Sequence, residues 1–161
     1  MTISFYTRIF ISISMIVLMS ACGPGGASYP ELDLMSHGLP IKINAPQDAE
    51  VAVDDLGIMK DVTVKGTDNY SVQIFSSEAE SLDVAKLIAG LKSDIEASAF
   101  FSKIISEDES GFIYEKVIDE DFVNYDFRSV KIQGDTKYVF QAGFGGKYTQ
   151  AEIEKIYNSI K

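Results

Sequence analysis

From Leu39 onward, apolar residues recur mostly at every second position. Ile41 and Ile43 alternate with polar neighbours, as do Val51 with Val53, Val62 with Val64, and Tyr70 with Val72 and Ile74. Such alternation predicts half-buried strands, and "KGTDN" at 65–69 supplies the turn between the last two. The period then lengthens. Val84, Leu87, Ile88, Leu91 and Ile95 fall on one helical face, and Ser77 with Glu80 forms an S-x-x-E start, predicting a helix over about 78–97. Period two returns in "FFSKII" and "FIYEKVI" around an acidic turn at 106–111. It continues in "VNYDFRSVKI" and "KYVFQAGF" around "QGDT", so both pairs read as hairpins. Alternation slips between Phe127 and Val130, which predicts a bulge. Ile153, Ile156, Tyr157 and Ile160 close the chain with a second helical stripe over about 150–160, capped by Thr149 and Glu152.

Several strands, a helix, two hairpins and a helix specify an α+β domain, with a mainly antiparallel sheet of about six to eight strands. Tyr138, Phe140, Ala142 and Phe144 should share a face, as should Val123, Tyr125 and Phe127. The expectation is one apolar face beneath both helices and one largely polar face. Asn124, Asp126 and Arg128, with Gln141 from the next strand, fall on the polar side and are the candidate partner-binding residues. Arg128 is one of two arginines, and arginine suits planar, bidentate contacts. The plainer alternative is an ion pair with Asp126 or another surface acid, worth about 0–1 kcal/mol.

The start of the chain follows another pattern. Arg8 precedes an apolar run at 9–21, too short for a spanning helix, which needs about 20 apolar residues. This is the layout of a secretory signal peptide. Leu18, Met19, Ser20 and Ala21 lead directly into Cys22, the only cysteine. The junction resembles the lipobox of bacterial lipoproteins, with Met19 where leucine is usual. That resemblance implies cleavage before Cys22, diacylglycerol on its sulfur and acylation of the new amine, so the membrane contact runs through lipidated Cys22. A plain signal peptide and a retained anchor are the alternatives. Gly23 stands where many inner-membrane lipoproteins carry Asp, which by the same resemblance favours the outer membrane where the source has one. Residues 22–38, rich in Gly, Pro and Ser at their start, read as a flexible tether to a single domain at 39–161.

Charge narrows the partners. The 161-residue chain carries a net charge of -10. Arg8 is its only charged side chain before Cys22, so the remainder is one unit more negative still. Such a surface repels phosphates, and nucleic acid is not an expected partner.

Candidate chemistry is sparse. His37 is the only histidine and falls in the expected tether, which disfavours a Ser-His-Asp arrangement or a histidine zinc site. "AGFGGKYTQ" imitates a phosphate loop, but Tyr148 follows Gly146-Lys147 where Ser or Thr is required, and Gln141 occupies the first glycine position. The glycines suit a tight turn, and no nucleotide or other cofactor is expected. Acids cluster at 54–55, 107–109 and 119–121, but "DEDFVNYDF" lacks the glycine of an EF-hand loop and no spacing selects a catalytic pair. These clusters read as solvated turns with at most weak calcium binding.

The order of elements over 39–161 resembles the Mog1/PsbP-like superfamily, which includes envelope lipoproteins. The resemblance implies a binding or assembly role rather than catalysis. The expected function is therefore a membrane-anchored envelope lipoprotein acting as a non-enzymatic binding or assembly module, with an envelope protein as its partner. A small hydrolase using carboxylates or a metal, and a purely structural lipoprotein, are the alternatives.

Overall fold

A computed structural model describes residues 29–119 and 122–161. Cys22 and the apolar run before it lie outside the described residues. Nine strands and two helices follow in order: β1 (Glu31–Asp33), β2 (Lys42–Asn44), β3 (Glu50–Asp55), β4 (Met59–Lys65), β5 (Ser71–Glu78), α1 (Val84–Glu96), β6 (Phe101–Asp108), β7 (Gly111–Asp119), β8 (Phe122–Gln133), β9 (Thr136–Ala142) and α2 (Gln150–Ser159). Strands β3 to β9 form a seven-stranded antiparallel sheet in the order β3-β4-β5-β9-β8-β7-β6, and β1 pairs with β2 alone. The α+β class and the helix pair agree with the sequence patterns.

Helix α1 starts later than the S-x-x-E motif predicts. Ser77 and Glu78 remain in β5, paired with Lys137 and Thr136 of β9. Ladder hydrogen bonds there outcompete the cap. Asp83 caps α1 instead, accepting the Lys86 N–H at 3.1 Å. The second motif acts as written: Thr149 and Glu152 form a reciprocal capping box at the start of α2.

The two helices do not share a face. Val130, Phe112 and Tyr114 point to the front of the sheet and pack with Ile88 of α1. Phe127, Ile113, Tyr138 and Phe140 point to the back and pack with Ile153, Ile156, Tyr157 and Ile160 of α2. The predicted single apolar face is thus replaced by two cores. The predicted bulge in β8 is also absent: its pairing runs in register from Val123 to Ser129 against β7 and from Arg128 to Gln133 against β9. Front positions 124, 126, 128, 130 and 132 simply turn apolar where α1 begins to cover them. The irregularities lie in β6 against β7 and beside Val117.

The described part of the stretch expected as a tether, 22–38, is folded instead. Residues from Tyr29 onward belong to the fold: β1 pairs with β2, and Leu34 is fully buried in the back core with Leu39, Ile41 and Ile43. His37 lies in a 3-10 turn at Met35–His37 within this arm. Tyr70 stitches the arm, β5 and α2 together. Its hydroxyl donates to the Asn44 carbonyl at 2.8 Å and lies 3.3 Å from Ser159 Oγ, and burial pushes it up to about 12.

Asp108, in the acidic β6–β7 turn, ties that turn to the C-terminal helix. It accepts from Tyr157 Oη and Lys161 Nζ at 2.8 Å each, and from the Ser110 N–H and hydroxyl. Partial burial pushes its pKa up, but these donors outweigh it and hold the carboxyl well below the usual range. A depressed folded value contributes stability that is fully present above the unfolded carboxylate pKa of about 3.9 and is lost progressively as pH falls from there through the lower folded value. Asp108→Asn should therefore cost about 1 kcal/mol at pH 7, given the partial exposure, and somewhat less at pH 3, where the loss has only begun. Urea unfolding at the two pH values measures the difference; an equal cost at both would show that the charge does not contribute.

Candidate functional site

The front face is only half covered. Helix α1 packs against β6 and β8, so Asp61, Thr63, Gln73 and Phe75 of β4 and β5 stay half-exposed. Between the open half and α1 runs a groove of about 300 Å³. Leu87, Leu91, Val130 and Val139 form its apolar lining, with Lys86 and Lys137 at its rim. Lys137 is held by Glu80 at 2.6 Å.

Beside this groove the four predicted residues divide into two pairs. Asn124 and Asp126 are on the front, but each is only 6% exposed, so they are not part of an open recognition surface. They fasten the loop between β9 and α2. Pairing of β8 with β9 starts at Arg128 and Gln141; before that point the strands part, and the Asp126 carboxylate takes the Ala142 N–H at 3.1 Å. The same carboxylate accepts from Tyr114 Oη, Lys116 Nζ and Arg128 Nη1 at 3.1, 2.9 and 3.1 Å. Burial, then the Asp126 charge, pushes the Tyr114 hydroxyl far up, so it remains a donor at neutral pH. Asn124 accepts the Tyr148 N–H at 2.7 Å and donates to the Gly146 carbonyl at 3.0 Å. Two buried polar side chains that alternate like surface residues are thus satisfied by backbone that only the fold brings near.

Arg128 and Gln141 do face the open half. The Arg128 guanidinium lies over the Tyr114 ring, with its side chain 15% exposed. The ion pair to Asp126 weighed above is present, and Nη1 also donates to the Phe127 carbonyl at 2.7 Å. Among the described residues Nε and Nη2 have no acceptor. Gln141 is paired with Arg128 and begins a row of amides: it donates to Gln73 Oε1, and Gln73 donates to both oxygens of Asp61. The arrangement can hold a planar acceptor, such as a carboxylate or a peptide carbonyl, against a preset guanidinium.

The glycines of the mock phosphate loop serve the β9–α2 turn. A Cβ on Gly143 would fall 1.8 Å from Ser71 Oγ, and Gly145 has φ of 76°. Lys147 extends over the Phe122 ring at 4.3 Å rather than toward the start of α2. Phe144, expected on the β9 face with Phe140, lies past the end of that strand and is 90% exposed. Among the described residues no group of three or more His, Cys, Asp or Glu side chains is arranged to hold a metal ion. No described helix is long and apolar enough to cross a membrane.

No protein family, curated protein or solved structure matches the chain.

Proposed function

We propose that the protein is a lipid-anchored envelope lipoprotein acting as a non-enzymatic binding module, and that its front face docks a segment of an envelope protein. The anchor rests on the Leu18–Cys22 junction and its resemblance to a lipobox, with Gly23 favouring the outer membrane. The Mog1/PsbP-like element order supports a binding or assembly role. The observation that carries the binding reading is Arg128. A guanidinium held by Tyr114 and Asp126 leaves Nε and Nη2 without an acceptor among the described residues, one same-face step from the groove-lining Val130, at little further entropic cost to a ligand. Gln141 supplies a neighbouring acceptor and donor on the same row.

Two measurements test the proposal. Mass spectrometry of the membrane fraction should find an acylated N-terminal Cys22 peptide, and Cys22→Ala should release or misprocess the protein without unfolding it. A chain that still begins at Met1 with an unmodified thiol would remove the anchor. Arg128→Ala should leave folding and acylation intact, since Asp126 keeps Lys116, Tyr114 and the Ala142 N–H. It should lower recovery of the partner in a crosslinking pulldown about tenfold, as expected for the loss of one charge-assisted contact. Equal recovery from mutant and wild type would refute the docking face.

A further inference from the structure

The seven-stranded sheet has two outer strands, β3 and β6. Strand β6 is guarded: its pairing with β7 shifts register twice, and such irregularities spoil an edge as a template. Strand β3 has no such guard. Its six residues pair with β4 in unbroken register, from Glu50 opposite Lys65 to Asp55 opposite Lys60, and none is proline. The β3–β4 turn fixes which of its backbone groups are used. The Leu56 N–H donates to the Met59 carbonyl at 2.9 Å, so Asp54, Ala52 and Glu50 follow as the hydrogen-bonded positions of the ladder. The N–H and C=O groups of Val51, Val53 and Asp55 therefore point away from β4. Among the described residues no strand lies beyond them. The two faces of this edge differ. Val51 and Val53 share the back face with buried Val64 and Val62, and Val53 is still 39% exposed. On the front, Glu50, Ala52 and Asp54 are exposed. Lys65 stands opposite Glu50, but Asp54 stands opposite Asp61. Among the described residues neither of these two carboxylates is in an ion pair, and Asp61 is held by the neutral Gln73 amide.

We propose that the outer edge of β3 takes an extended segment of a partner protein as an eighth strand of the sheet, and that this segment alternates basic with apolar residues. The proposal is independent of the Cys22 anchor and of the Arg128 face. Three free N–H and three free C=O groups, at every second residue, offer main-chain bonding to a strand of matching length. Such a strand would lie about 4.8 Å from β3. Alternation then sorts its side chains. Those on the back continue the apolar row of Val51 and Val53. Those on the front meet Asp54 and Asp61, where Lys or Arg relieves a like-charge pair that is unfavourable in the free sheet. Ala52, between Glu50 and Asp54, is short enough for a long side chain to lie across it. The same acids disfavour a second copy of this chain as the occupant. Pairing two β3 edges would bring two Asp54–Asp61 pairs together in a chain already at a net charge of -10.

The probe is a blocked peptide of alternating lysine and valine, about seven residues long, added to the full chain in a nonionic detergent. Amide hydrogen exchange followed by NMR reads the edge directly. Without peptide, the Val51, Val53 and Asp55 amides should exchange fast, because they have no acceptor. With the protein about nine-tenths saturated, exchange at these three should slow about tenfold. The Ala52 and Asp54 amides, already bonded to β4, should change little. Asp54→Lys should weaken peptide binding about tenfold by fluorescence anisotropy. Glu109→Lys, an exposed site in the β6–β7 turn with the same change in charge, should leave it within about twofold. Slow exchange at the three amides before peptide is added would show the edge already covered by this chain, and overturns the proposal. So does binding that leaves them unprotected, or a peptide that fails to bind at about 1 mM. Equal weakening by both substitutions marks attraction by net charge alone and overturns it too. Light scattering supplies the last check: a dimer in which these amides are protected gives the edge to a second copy instead.

Discussion

Ile156→Asp should abolish the cooperative fold or lower the melting temperature by more than about 15 °C. Ile156 is 2% exposed in the back core, between α2 and the sheet, with Ile153 and Tyr157 as helix neighbours. The substitution removes burial worth about 1.5–3 kcal/mol and forces a carboxylate into the apolar back core. Together these exceed about 4 kcal/mol, a large share of the roughly 5–15 kcal/mol that stabilises a typical domain. Ile156→Val, which deletes one methylene, should cost only about 0.5–1.5 kcal/mol. Thermal unfolding followed by circular dichroism separates the two. A melting temperature for Ile156→Asp within a few degrees of wild type would mean that α2 is not packed on the sheet.

The second large effect is expected at Asp126. Its carboxylate satisfies two cations, a buried tyrosine hydroxyl and a backbone N–H across the gap between β8 and β9. Asp126→Ala strands all of them in a poorly hydrated site, a loss of about 3–5 kcal/mol. Asp126→Asn keeps the shape and one acceptor oxygen, and should cost about half as much. Hydrogen exchange gives a local readout: the Ala142 and Phe127 amides should lose protection first, because both donate to Asp126. Unchanged exchange at those two amides would show that the carboxylate does not hold the strand gap. Since Arg128 is oriented by the same carboxylate, Asp126→Ala should also weaken partner recovery, whereas Arg128→Ala should weaken it without the loss of stability.

Much of the architecture was legible because side-chain period is a local property. Alternation located β2 to β5 and both hairpins, and the Ile153–Ile160 stripe located α2 together with its cap. Errors arose where local pattern competes with remote pairing. Ser77 and Glu80 make a good helix start in isolation, yet β9 claims Ser77 for the sheet. Leu34 and Tyr29 follow a Gly- and Pro-rich stretch, and only the opposing back face shows that they are core.

The candidate site was legible to the same degree. Arg128 stood out by its rarity, and strand parity put Asn124, Asp126, Arg128 and Gln141 on one face. Parity says nothing of what covers a face. Helix α1 and the β9–α2 loop decide that Asn124 and Asp126 are buried fasteners, while Arg128 and Gln141 lie on the same face one step along their strands from the groove-lining Val130 and Val139. Element types, the α+β class and the cap of α2 depend on residues within a few positions of one another, and so can be read along the chain. Packing in three dimensions puts the helices on opposite faces, leaves Phe144 exposed and sets Asp126 into a gap between strands. Each depends on contacts between segments far apart in the chain, and a pattern with a period of two or four residues carries no record of them.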